Sequence, residues 1–232
     1  MIESTEHVTY IISFIGSENA DLPYYLAKCL DGYGKTVLVL DNTRYGDAYY
    51  TQKRPDFVPQ QAQEDAIQVK GITYHRNIAY SHRAFQCYDY VFILHGEYFE
   101  PSYLDNKISD MIYLVSDFEP KHIRYIKSHF MEEKEEKKYK VTLILKGMMN
   151  EKVSAKTIIK SLQANTCFDI EKHYVIPFDE TDKKMYQSLS YNGTQKLKHL
   201  SGDYKDVLAD IVSFMTGQEN DVKKIKKYIS TL

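Results

Sequence analysis

The chain of 232 residues has no tryptophan, only three cysteines and only six prolines. Cys29, Cys87 and Cys167 are odd in number and widely spaced, each in or beside an apolar segment. That pattern argues against a disulfide scaffold or a structural zinc site built on cysteines and points to a reduced, intracellular protein. No apolar run is long enough to cross a bilayer, and the N-terminus lacks the basic-then-apolar pattern of a secretory leader. A cytoplasmic protein is the expectation, with the inner face of the membrane as a further location. A net charge of −2 argues against a dedicated nucleic-acid surface. One further lack is local: no Lys or Arg lies between Met1 and Lys28, and the turn from Ile15 to Asp21 holds a single glycine, Gly16.

That turn belongs to the stretch around which the chain is organised. Val8, Tyr10, Ile11, Ile12 and Phe14 form a short apolar run, as in a strand buried on both faces of a parallel sheet. Asp21 is placed to cap a helix with Pro23 in its first turn and Leu22, Leu26, Cys29 and Leu30 at helical spacing. Gly34 ends it, and Thr36 to Leu40 is a second β-branched run, so the segment has the length of one βαβ unit.

Beyond Asp41, residues 42–63 read as a polar and aromatic excursion broken by Pro55 and Pro59, Ile67 to Tyr74 as one irregular strand around Gly71, and Ser81 to Cys87 as a short helix. Strands follow at Tyr90 to Leu94, Met111 to Val115, Val141 to Leu145 and Tyr174 to Ile176. Helices follow at Pro120 to Lys137, from a Ser154 cap, at Asp182 to Ser190 and at Tyr204 to Thr216. The charged run from Glu132 to Lys138 reads as a solvated helix end. This alternation predicts an α/β fold, a doubly wound, mostly parallel sheet with helices on both faces, in one domain over residues 1–217. Residues 218–232 form a basic amphipathic helix or tail. In it Val222, Ile225, Ile229 and Leu232 share one face, and Lys223, Lys224, Lys226 and Lys227 take the others. The pattern fits contact with an anionic membrane surface, or packing on the protein's own domain.

Several stretches together resemble the MinD/ParA family of P-loop ATPases over nearly the whole chain. Leu26-Ala27-Lys28-Cys29-Leu30 with Gly34 to Asp41 is similar to that family's first helix and second motif strand. Tyr88 to Ile93 is similar to the strand before its Walker B aspartate, and Tyr174 to Asp179 to its late Ile-Pro-Tyr-Asp segment. The resemblance implies a P-loop NTPase-like fold, with Pro177, Phe178 and Asp179 on the base side of a nucleotide. The tail is similar in place to the membrane-targeting helix of MinD proteins.

The family's phosphate loop, KGGVGKTT, laid back from Leu26, sets its two lysines on Phe14 and Asn19 and its metal-binding threonine on Ala20. The aspartate after the second motif falls on Thr43 and the Walker B aspartate on Leu94; only Gly16 and Asp41 are kept. Phosphoryl transfer asks the protein mainly for positioning and charge neutralisation, so these replacements point to a degenerate, non-hydrolysing relative. Phe14, Gly16, Ser17, Glu18, Asn19, Ala20 and Asp21 are then a vestigial phosphate loop or a constitutive homodimer contact. The expected role is a scaffold or positioning protein that binds protein partners, of the TadZ/CpaE kind found in pilus assembly, secretion or polar localisation. No cofactor, metal or catalytic residue is expected. The alternatives are an active ATPase holding ATP and magnesium through cations from elsewhere, such as Arg44, Lys53 or Arg54, and a small-ligand sensor. The sensor would use a strand-end pocket of Asp41, Thr43, Leu94, His95 and Glu97. Ser13, Ser17 and Asp41 raise hydrolytic chemistry, but no motif assigns them a histidine.

Overall fold

The computed structural model describes residues 8–17, 20–52, 66–76, 85–96, 109–130, 138–149, 154–164, 166–192, 196–218 and 221–232. Its strands are β1 (Tyr10–Gly16), β2 (Val37–Asp41), β3 (Ile67–Val69), β4 (Ile72–Arg76), β5 (Tyr90–Gly96), β6 (Met111–Asp117), β7 (Tyr139–Met148) and β8 (Phe168–Pro177). They form one sheet in the order β3-β4-β2-β5-β1-β6-β7-β8. Every pairing is parallel except β3 with β4. The expected α/β architecture is therefore the observed one.

The helices are α1 (Asp21–Gly32), α2 (Asp47–Tyr50), α3 (Pro120–His129), α4 (Ala155–Gln163), α5 (Glu180–Asn192), α6 (Gly202–Met215) and α7 (Val222–Ile229). Strand side chains alternate between faces, and this alternation sorts the core into layers. Ile12, Phe14, Val39, Phe92 and Leu94 point to the face covered by α1, α6 and α7, where Leu26, Leu30, Leu208 and Val212 are sealed from solvent. Ile15, Leu114, Leu143 and Leu145 point the other way, against Ile126 of α3 and Ile158 and Leu162 of α4. Burying each such side chain contributes roughly 1.5–3 kcal/mol. The cysteines are free thiols, and burial pushes that of Cys29 up to about 12. Several tyrosines lie in the core, and two of them place the hydroxyl on a specific acceptor. Tyr90 donates to the Met215 carbonyl at 2.6 Å and Tyr204 to Asp21 at 3.0 Å.

Several expectations are corrected. β1 runs on through Ile15 and Gly16, because both still pair with β6. Ile67 to Tyr74 is a hairpin: Lys70 takes a positive φ of 57° and turns β3 back on β4, whose parallel pairing with β2 places it inside the sheet. Asp21 is the first residue of α1, after Ala20, and its side chain does not cap the helix. The described part of the helix from Pro120 ends at His129, and residues 131–137, with most of the charged run, lie outside the described residues. So do residues 81–84 of the short helix expected before β5 and residues 53–63 of the 42–63 excursion. Ser154 caps α4 as expected, accepting from the Thr157 N–H.

Candidate functional site

Parallel strands of this kind leave ligand room outside their C-terminal ends, and the turn from β1 into α1 lies there. Gly16 takes φ +113°, and a Cβ on it would sit 2.0 Å from the Val115 carbonyl oxygen of β6, so only glycine fits. The next N–H, that of Ser17, donates to that oxygen at 2.9 Å. A phosphate cradle needs such backbone groups turned toward the ligand. Here this one is turned into the sheet. Phe14 stacks on Tyr113 at 5.4 Å and meets the edge of Phe92, both ring contacts lying inside the core. The space left among Phe14, Ala20, Pro23, Thr43, Leu94 and Val115 is about 20 Å³. That volume holds roughly one water molecule among the described residues.

Phe14, Gly16, Ala20 and Asp21 are all buried, so a homodimer contact at this turn would have to use its other residues. Ser17 is partly exposed, and Glu18 and Asn19 lie outside the described residues.

A cation does reach the mouth of α1, and the sequence reading missed it. Lys146, near the end of β7, donates to Asp21 at 2.6 Å from Oδ1. The ammonium also lies 5.5 Å from the ring centre of Tyr204, whose hydroxyl donates to the same carboxylate. Both partners are largely buried, with side chains 13% and 6% exposed. The Asp21 carboxylate stands at the positive end of the α1 dipole, a placement that contributes about 0.3–2 kcal/mol. Pro23 meanwhile removes one of the N–H groups an anion would use. Of the cations named as alternatives, Arg44 lies over the ring of Tyr45, and Lys53 and Arg54 are outside the described residues. The signal for Lys146 was a lone cation ending the apolar run Val141 to Leu145, at the strand end where ligands bind.

The expected strand-end pocket does not assemble. Asp41 and Leu94 belong to the α1 face of the sheet; His95 follows Leu94 and points to the other. Asp41 is fully buried and accepts from the Thr43 N–H at 3.1 Å, the Thr43 hydroxyl at 2.6 Å and the Tyr49 N–H at 3.0 Å. It fastens the β2–α2 turn. Thr43 and Leu94 line the 20 Å³ space instead, and Glu97 lies outside the described residues. His95 Nε2 is 3.1 Å from Ser13 Oγ, which is 2.6 Å from Ser109 Oγ. The histidine that no motif assigned to Ser13 is thus beside it, but burial lowers its pKa to about 3 and closes the pair from solvent.

A roomier space at this edge is a cleft of about 210 Å³ beyond the ends of β7 and β8. Pro177, Phe178 and Asp179 do gather there, with Asp21, Lys146, Asp182 and Tyr204. Asp179 accepts the N–H groups of Thr181 at 2.7 Å and Asp182 at 3.2 Å, which hold its carboxyl below the usual range. Burial raises the carboxyl of Asp182 against the opposing bonds from Ser201. Phe178 is 40% exposed, with the Lys183 ammonium 6.0 Å from its ring centre.

The C-terminal segment uses its apolar face internally. Ile225 and Ile229 of α7 are fully buried, Val222 and Leu232 pack beside them, and Tyr228 meets Tyr33 at 4.9 Å. The apolar face formed by Val222, Ile225, Ile229 and Leu232 is therefore packed on the domain in this structure, the second of the two arrangements the sequence allows. Lys226 pairs with Asp206 and Lys224 with Asp221, and Lys223, Lys224 and Lys227 are exposed. No helix among the described residues is long and apolar enough to cross a membrane.

No protein-family model matches the sequence, and a search of curated proteins finds no match. Solved structures do match. A ParA family ATPase from Chlorobium tepidum aligns with a TM-score of 0.59 at 12% identity, over 96% of this chain and 98% of its own. MinD from Aquifex aeolicus gives 0.58 at 12%, over 90% and 97%. The MinC:MinD complex from that organism gives 0.61 at 13%, over 90% and 96%. The chain has the fold of the ParA and MinD ATPases.

Proposed function

We propose that this chain is a ParA/MinD-fold protein that does not hydrolyse nucleotide and acts by binding protein partners, as a scaffold or positioning factor. The observation that carries the reading is the Lys146–Asp21 pair: the described cation at the phosphate end of α1 is already neutralised by a carboxylate of the same helix. Catalysis of phosphoryl transfer needs positive charge and N–H donors free to follow the developing charge. Ser17 has its N–H on Val115, and Lys146 has its charge on Asp21.

Partner binding is supported by what this edge exposes. Tyr45, Tyr50, Met149 and Phe178, four of the seven large apolar side chains exposed among the described residues, lie beyond the C-terminal ends of β2, β7 and β8. The solved MinC:MinD complex supplies an instance of this fold carrying a protein partner. Work in pilus assembly, secretion or polar localisation, as in TadZ/CpaE-like proteins, is the cellular setting we assign.

Calorimetric titration of the full chain with ATP and magnesium tests the reading. The expected result is no saturable heat and no phosphate release. Micromolar binding or turnover would replace it with an active ATPase in which Lys146 leaves Asp21 for the nucleotide.

A further inference from the structure

Where β6 gives way to α3, three metal-binding side chains fall within six residues. Asp117 is the last residue of β6, Glu119 immediately precedes the helix, and His122 lies in its first turn. One donor atom from each lies within 4.8 Å of the others. His122 Nδ1 is 2.7 Å from Asp117 Oδ1, a side-chain pair only partly exposed, and the Glu119 N–H donates to the same oxygen at 2.9 Å. Glu119, the residue at the helix cap, leaves the helix uncapped and carries the most exposed side chain of the three.

Donors bound to a small divalent ion at about 2.0–2.2 Å stand roughly 3 to 3.5 Å apart. Asp117 and His122 nearly meet that spacing. A swing of the exposed Glu119 side chain closes the tripod without moving backbone. The site also opens onto something: Asp117 lines the 210 Å³ cleft, whose walls hold four carboxylates, Asp21, Asp117, Asp179 and Asp182, against two ammonium groups, Lys146 and Lys183. An acid-rich hollow concentrates cations at its rim.

We propose that Asp117, Glu119 and His122 bind a divalent cation of the zinc class, with one imidazole and two carboxylates as protein ligands and the remaining positions left to water or to an oxygen donor held in the cleft. Mixed nitrogen and oxygen donors favour zinc, cobalt or nickel over calcium or magnesium. The ion ties the end of β6 to the start of α3. Its competitor is Lys121, whose ammonium lies 3.0 Å from Glu119.

The test titrates the full chain with zinc alone by calorimetry and with cobalt(II) by absorption, in the absence of nucleotide, so that it reads nothing of the scaffold reading. One ion per chain is expected, with a thermal midpoint that rises with zinc. His122→Gln and the surface change Glu119→Gln should each weaken binding by at least roughly tenfold and remove the thermal rise. Lys121→Ala should tighten binding, a response that an adventitious surface site would not give. Cys87→Ser, which removes an exposed thiol, should change nothing. The proposal is overturned if zinc does not saturate below about 100 micromolar, an affinity that corresponds to roughly 5.5 kcal/mol, or if binding survives both His122→Gln and Glu119→Gln, or is lost with Cys87→Ser.

Discussion

Lys146 and Asp21 stand 125 residues apart in sequence and 2.6 Å apart in space, the ammonium of a strand end closing on the first carboxylate of a helix. Their charges neutralise each other in surroundings that exclude most water. The pair stabilises the fold only while both members are present, since a lone buried charge carries its full desolvation cost.

Removing one partner should therefore cost more than removing both. Lys146→Met, which strands the Asp21 carboxylate, should lower unfolding free energy by about 3 kcal/mol or more, and Asp21→Asn by a comparable amount. The double variant should lie closer to the parent than the two losses added. Urea unfolding of the four proteins measures this coupling, and simple additivity would show that the pair is not a unit. Asp21→Asn also leaves Lys146 charged at the positive end of α1. That variant should gain weak binding of inorganic phosphate or sulfate where the parent has none.

Oligomeric state supplies a second prediction. The turn between β1 and α1 is packed inside the molecule at Phe14, Gly16 and Ala20. Mass by light scattering should be the same with and without ATP and magnesium, whatever that mass is. A nucleotide-dependent doubling would contradict both the closed turn and the function proposed from it.

Strands and helices were readable in the sequence because they depend on neighbours a few residues away. The runs Tyr90 to Leu94 and Val141 to Leu145, and the Leu22, Leu26, Leu30 spacing of α1, state their burial locally. The lack of lysine and arginine from Phe14 to Ala20 was equally local. What escaped was long-range. Asp21 reads as a helix cap when only its neighbours are known, and becomes half of an ion pair only when β7 is folded beside α1. The strand-end pocket failed for a simpler reason: Leu94 and His95 are adjacent, so a strand must send them to opposite faces. That rule was available in the sequence, and it also placed His95 with Ser13, 82 residues away.

The buried His95 gives stability a pH dependence with a definite sign. Its folded pKa is lowered to about 3 by burial, against about 6.5 when unfolded. Between these values the unfolded chain binds the extra proton, so this contribution is fully present above about pH 6.5 and is lost as pH falls toward 3. At pH 5 the loss should be about 2 kcal/mol relative to pH 7.5. His95→Asn should flatten this slope while lowering stability at pH 7.5, because Ser13 loses its ring partner. Denaturation curves of parent and variant at the two pH values isolate the effect from carboxylates common to both. An unchanged slope would mean that His95 is protonated in the folded protein.

The final prediction concerns α7, where charge pattern and packing point in different directions. Lys223, Lys224 and Lys227 present an exposed basic face, and each lysine near an anionic bilayer is worth about 1 kcal/mol. Stable attachment also needs apolar side chains in the acyl region, and here Ile225 and Ile229 are sealed against the core. Releasing them would uncover the apolar layer beneath α7 at a cost that three lysines do not offset. Ile225→Ala alone should destabilise the protein by roughly 2–5 kcal/mol, as for a fully buried aliphatic residue. Sedimentation with vesicles containing about one third phosphatidylserine should leave the full chain in the supernatant at physiological salt, where screening acts over about 8 Å. A peptide of residues 218–232, with its apolar face free, should bind the same vesicles measurably better than the full chain. If the full chain sediments instead, and Ile225→Ala leaves its stability unchanged, α7 leaves its place on α6 at the membrane and the packed arrangement is not the one that meets lipid.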